Sequence, residues 1–154
     1  MNSIDVKFTI TAKRTLKAIE AGYPIIVNEG GARSGKSFGI IQILIYLATR
    51  RKLRISIVSH SLPHIKRGAY RDFRLIMEQW NLWDDNCFSY TEFVYTFKNG
   101  SYIELFGLED EGKARGPGRD ILFINEANLI SRLLFDQLAM RTTGQILIDL
   151  NPAD

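Results

Sequence analysis

One cysteine, two histidines and four prolines among 154 residues close off several classes of function at once. A lone Cys87 excludes an intrachain disulfide and a cysteine-rich zinc site, and reads as a small packed hydrophobe. His60 and His64 stand at i, i+4, a spacing that shares a helix face, but no carboxylate or third ligand lies near them in sequence. No apolar run reaches the roughly 20 residues of a bilayer span; the longest, residues 38–48, is interrupted by Gln42. Met1-Asn2-Ser3-Ile4-Asp5 lacks the basic-then-apolar layout of a secretory signal, so a cytoplasmic location with no membrane is expected. Repeats and low-complexity tracts are absent too.

What is present is the composition of one globular domain, 45% hydrophobic and 24% charged. Its charge is uneven. Residues 1–71 hold 13 Lys/Arg against 3 Asp/Glu, and residues 72–154 hold 7 against 14, so a net +3 divides into +10 and −7. The basic half suits a polyanion's phosphates, unless the two halves interleave in space and offset each other.

Hydrophobic periodicity predicts a helix over 12–21 ended by Gly22, a buried strand over 25–28, a helix over 37–49 and a strand over 53–59. Together these make a βαβ unit. A helix over 64–80 would bury Ile65, Ala69, Phe73, Ile76 and Trp80 on one side. Two β-rich runs, 93–97 and 102–106, flank Asn99-Gly100, a strong hairpin signal. Residues 109–120 read as an exposed loop, followed by an apolar strand at 121–124, a helix at 131–140 and a last strand at 145–150. The expected fold is α/β with a mainly parallel sheet and an antiparallel hairpin insertion.

Between the first strand and the second helix, Gly30-Gly31-Ala32-Arg33-Ser34-Gly35-Lys36-Ser37 fits the phosphate-loop pattern at every fixed position. Its glycines let successive backbone N–H groups turn toward phosphate oxygens, and the helix that follows adds its N-terminal dipole. Lys36 is then the ligand of the β- and γ-phosphates, and the Ser37 hydroxyl that of Mg²⁺. An ATP-hydrolysing site also needs polar groups at the end of a buried strand. Ile121-Leu122-Phe123-Ile124-Asn125-Glu126 supplies them, with Glu126 as general base and Asn125 on the metal's water shell. An aspartate is usual at the place of Asn125. The amide brings no negative charge, so weaker magnesium binding or slower turnover is expected. Arg33, inside the loop, suits transition-state charge in cis. Arg115 or Arg119 suits it on a neighbouring subunit, although Arg119 reads more simply as a solvated loop charge. Tyr23 and Phe8 are open as partners of an adenine ring, or as core.

The order of these motifs resembles the ATPase part of a tailed-bacteriophage terminase large subunit, the motor that packages DNA into procapsids. The resemblance rests on the phosphate loop with its internal Arg33 and on Asn99-Gly100-Ser101-Tyr102-Ile103-Glu104-Leu105-Phe106-Gly107-Leu108-Glu109-Asp110. It continues through Lys113-Ala114-Arg115-Gly116, Ile124-Asn125-Glu126-Ala127 and the strand running into Asn151-Pro152. It implies a three-layer α/β/α P-loop NTPase of the RecA-like, ASCE type over residues 1–154, with ATP and Mg²⁺ as ligands. Asn151 would be a coupling residue that senses the hydrolysed phosphate. The implied partners are double-stranded DNA, a small terminase subunit, the portal protein and further copies in a ring, in the host cytoplasm at the procapsid. The ribonuclease-H-type nuclease domain of that family is not among these residues, so the chain is expected to be truncated and no DNA cleavage is expected of it. A nucleotide-binding module without turnover, or another P-loop DNA-dependent ATPase such as a helicase core, are the alternatives.

Overall fold

The computed structural model describes residues 7–30, 35–114 and 116–151. Gly31, Ala32, Arg33, Ser34, Arg115 and Pro152 lie outside the described residues.

Helix α1 (Ile10–Glu20) starts where the Thr9 hydroxyl accepts the Ala12 N–H at 3.1 Å, an N-cap interaction. It ends just before Gly22, whose φ of 82° lies in the left-handed region. Then come β1 (Ile25–Glu29), α2 (Lys36–Arg50), β2 (Arg54–Ser59), α3 (Leu62–Arg67), α4 (Ala69–Gln79), β3 (Phe88–Ser89), β4 (Val94–Thr96), β5 (Tyr102–Gly107), α5 (Glu111–Ala114), β6 (Arg119–Ile124), α6 (Arg132–Met140) and β7 (Thr142–Leu150). The strands form one sheet in the order β1-β7-β6-β2-β5-β4-β3. The five from β1 to β5 in that order run parallel, and β4 and β3 are added antiparallel. The expected hairpin is present, with Gly100 at φ 91° in its turn, and its second arm is also the parallel neighbour of β2.

Alternation along the central strands divides the core into two layers. Ile121 and Phe123, with Ile55, Ile57, Ile103, Leu105 and Leu147, pack beneath α1, α2 and α4. Leu122 and Ile124, with Val58, Phe106, Ile146 and Ile148, pack beneath Leu138 of α6. Helices on both faces of a mostly parallel sheet are the three-layer α/β/α arrangement.

Three expectations need correction. The helix expected over 64–80 is two, α3 and α4, divided at Gly68, although Ile65, Ala69, Phe73, Ile76 and Trp80 are all buried as the periodicity demands. Strand β1 is parallel but stands at the sheet's edge: Ile26 is buried while Ile25 and Val27, on the uncovered face, are about half exposed. Arg119 is not a loop charge but a fully buried side chain, its Nε donating to Ser56 Oγ at 2.8 Å and its guanidinium to the Leu138 carbonyl at 3.2 Å. Burial lowers its pKa. Held in the core this way, it cannot reach a neighbouring subunit.

Candidate functional site

In an open parallel sheet, ligands collect outside the carboxyl ends of the strands. Here those ends are Glu29, Leu150, Ile124, Ser59 and Gly107. The strand leading into the phosphate loop and the strand leading into Asn125 and Glu126 are not neighbours. Strand β7 lies between them, pairing Val27 with Ile148 on one side and Ile124 with Ile148 on the other. The last residues of β7 therefore stand between the two predicted halves of the site.

A cavity of about 340 Å³ opens there, lined by Gly35, Lys36, Ser37, Asn125, Glu126 and Asp149 together with Phe38, His64, Gly68 and Asp72. Lys36, Ser37, Asn125 and Glu126, up to 90 residues apart in the chain, thus meet in one place. Gly35 has a φ of 74°, left-handed backbone that glycine adopts without strain as the chain enters α2. Lys36 is buried, and its Nζ donates to the Gly30 carbonyl at 3.1 Å. Asn151 is buried two residues beyond Asp149, with its backbone N–H toward Asn128 Oδ1 at 3.4 Å. It borders the site without lining the cavity.

Glu126 has φ 56° and ψ 58°, the left-handed region that non-glycine residues seldom occupy. Its backbone N–H donates to Asp149 Oδ1, and the Asn125 N–H donates to the Val58 carbonyl at 2.8 Å. The turn is thus held from β7 and β2 together. The Glu126 carboxylate lies 2.6 Å from His64 Nε2. No carboxylate neighbours His64 in sequence; folding brings one from 62 residues away.

Asp149 is the residue that inspection of the sequence missed. It is 1% exposed, and burial pushes its carboxyl up to about 6 against the opposing pull of the Glu126 N–H and Lys36. Its Oδ2 has no partner among the described residues, nor does Ser59 Oγ at the end of β2. The available signal was an acid closing the apolar run Ile146-Leu147-Ile148, the same pattern that singled out Glu126. Asp72 is a second unanticipated acid, its carboxyl also raised by burial.

Two other expectations resolve differently. Phe8 packs edge-on against Tyr46 and Trp80, partly buried against the core, while Tyr23 is 60% exposed. A larger cavity of about 640 Å³ lies under the hairpin among Trp83, Tyr95, Phe97 and Asn99 and contains none of the predicted site residues. Among the described residues no group of three His, Cys, Asp or Glu side chains is placed to hold a metal ion, and no helix is long and apolar enough to cross a membrane.

Solved structures share this fold. The large terminase of a thermophilic bacteriophage superimposes with a TM-score of 0.75 at 15% identity, covering 96% of this chain and 40% of that one. The HK97 bacteriophage large terminase gives 0.65 at 12% identity over 95% of this chain and 33% of that one. The ATPase domain of the Thermus phage P74-26 large terminase gives 0.61 at 14% identity over 94% and 64%. The first of these three, from the thermophilic bacteriophage, has also been solved in complex with ATP-γ-S and with ADP. This chain spans about two fifths of its length. No protein-family model matches the sequence, and no curated protein does.

Proposed function

We propose, starting from the fold shared with large terminases, that this chain is the ATP-hydrolysing motor domain of a viral terminase large subunit and powers DNA packaging into procapsids. The observation that carries the proposal is the meeting of Lys36, Ser37, Asn125, Glu126 and Asp149 in one cavity at the carboxyl ends of the parallel strands.

Lys36 and the backbone of Gly30–Ser37 hold the β- and γ-phosphates, and Arg33 within that loop offsets charge on the transferring phosphoryl group. The Glu126 carboxylate accepts the proton of the attacking water. The water oxygen bonds to the γ-phosphorus as the bond to the β-phosphate oxygen breaks, leaving ADP and phosphate. Asp149 serves this step by fixing the Glu126 backbone.

A magnesium ion fits the polar groups present. Ser37 offers a hydroxyl and Asn125 an amide on the cavity wall, and Asp149 Oδ2 is a buried oxygen in need of a partner. So few side-chain ligands suit an ion that keeps much of its water and arrives with the nucleotide's phosphates. Bound there, it would withdraw charge from those phosphates.

Asn151, just beyond β7, is assigned to coupling between the γ-phosphate and movement. Exposed cations on α1, Lys13 and Arg14, and on α3 and α4, Lys66, Arg67 and Arg71, are the candidates for contact with duplex phosphates, independent of sequence. The small terminase subunit, the portal protein and a ring of copies complete the assembly in this reading.

A second reading, nucleotide binding without turnover, is favoured by one feature, the uncharged Asn125 where a metal-binding acid is usual. Steady-state ATPase assays with Mg²⁺, with and without duplex DNA, decide between them. The motor reading expects turnover that Lys36→Ala and Glu126→Gln both abolish and that DNA stimulates. ATP binding that Lys36→Ala removes, with no hydrolysis in any condition, would support the binding module instead.

A further inference from the structure

We infer that His64 is the positioning residue for Glu126, holding its carboxylate in the orientation from which it receives the proton of the attacking water. The inference rests on the reading of Glu126 as the general base and adds a residue from a part of the chain that the motifs do not include.

The main chain of Glu126 is fixed by β6 and by Asp149, but a glutamate side chain has three rotatable bonds beyond the backbone. A second anchor is needed to place the carboxylate. The 2.6 Å approach of His64 Nε2 to Glu126 Oε2 supplies it. With the proton on Nε2, the ring donates to one carboxylate oxygen and leaves the other available to accept, on a residue that lines the cavity together with His64. Imidazole suits the task because it turns about only two side-chain bonds.

The element carrying His64 is itself located with unusual care. The Ser61 hydroxyl caps α3 by accepting the His64 N–H at 3.3 Å, and Glu109 Oε1 accepts the Leu62 N–H at 2.7 Å. Gly107, at the end of β5, lies so close beneath that a Cβ there would collide with the Leu62 nitrogen. Only glycine permits this approach. Ile65 is fully buried, and the His60 ring stands 4.5 Å from that of His64. The start of α3 is therefore locked to the end of β5, so His64 holds Glu126 from the flank opposite Asp149. A surface ion pair would need none of this support.

The test compares wild type with His64→Ala and His64→Gln, whose amide N–H can replace the ring donor. Misplacement of a catalytic group costs on the order of 10- to 100-fold. We expect His64→Ala to lower kcat by that factor with KM for ATP and melting temperature held, and His64→Gln to recover most of the loss. An unchanged or raised kcat in His64→Ala, or a loss carried by KM, overturns the inference. A readout without turnover accompanies it: ¹⁵N spectra of the histidine rings, with the His64 signals assigned by their loss in His64→Gln. Those signals should shift in Glu126→Gln, and an unmoved spectrum overturns the contact. If the wild-type chain proves inactive, the ATPase reading fails and the ring spectra alone decide whether His64 orients Glu126.

Discussion

The two ends of the sheet are built on opposite terms. At the hairpin end nearly every buried polar group is paired. Ser101, fully buried, accepts the Leu53 N–H at 2.9 Å and has two carbonyls within reach of its one hydroxyl proton, Ala48 at 2.7 Å and Arg51 at 2.8 Å. The Tyr95 hydroxyl, on a buried residue, donates to the Leu82 carbonyl at 2.8 Å, burial pushing its pKa up to about 12. Phe73, Trp83, Phe88, Tyr95 and Phe97 stack around these groups, and the Trp83 indole N–H has no partner among the described residues. At the other end Lys36, Asn125, Asp149 and Asn151 are buried together, Asp149 Oδ2 and Ser59 Oγ lack partners among the described residues, and Glu126 holds a left-handed backbone. Burying polar groups without partners costs stability. Single unpartnered atoms occur elsewhere among the described residues, at Thr15 Oγ1, Trp83 Nε1 and Arg119 Nη2, but Asp149 Oδ2 is the one on the wall of the cavity shared with Lys36, Asn125 and Glu126, a local inconsistency of the kind expected at a functional site.

Substitutions can break this contrast or sharpen it. The largest effect is expected at Glu126. Glu126→Gln should lose on the order of 10²- to 10⁴-fold in single-turnover hydrolysis while keeping nucleotide affinity; hydrolysis at the wild-type rate would remove it from the chemistry. Next is the packed end: Phe73→Ala should cost roughly 3–5 kcal/mol in denaturant unfolding and leave the nucleotide affinity of the folded fraction unchanged.

Asp149→Asn should act in the reverse direction, raising stability while slowing turnover. Burial pushes the folded carboxyl up to about 6, above its unfolded value of 3.8, so the folded state binds the extra proton and stability falls as pH rises between those values. Two pKa units correspond to about 3 kcal/mol as an upper bound. The gain from the amide, which keeps the acceptor for the Glu126 N–H, should be full above pH 7 and mostly lost by pH 4. A melting-temperature difference that does not change between those pH values would contradict the assignment. The smallest of the four is Ser101→Ala, expected to cost roughly 1–3 kcal/mol by leaving the buried Leu53 N–H unpaired, with kcat untouched.

The same contrast explains what could be read in the sequence. The apolar face of α3 and α4, the hairpin around Asn99-Gly100 and the strands at 121–124 and 145–150 follow from local periodicity and turn chemistry, which fix most of the fold. Lys36, Ser37, Asn125 and Glu126 were legible because two local patterns carry them. Asp149 and His64 were not, because their meaning depends on strand order. Only with β7 seated between β1 and β6 does Asp149 reach the Glu126 backbone, and only with α3 locked over β5 does His64 reach its carboxylate. Arg119 was misjudged for the related reason that flanking Gly116, Pro117 and Gly118 signalled a loop, while β2 and α6 supply its buried partners.

Isothermal titration of Mg-ATP-γ-S into the wild-type chain and Lys36→Ala tests most directly whether this end of the sheet is an ATP site. One site on the wild type and at least tenfold weaker binding in Lys36→Ala are expected, since each 1.4 kcal/mol is a factor of ten and Lys36 contacts two phosphates in the proposed complex. Equal binding by the two proteins would contradict that reading.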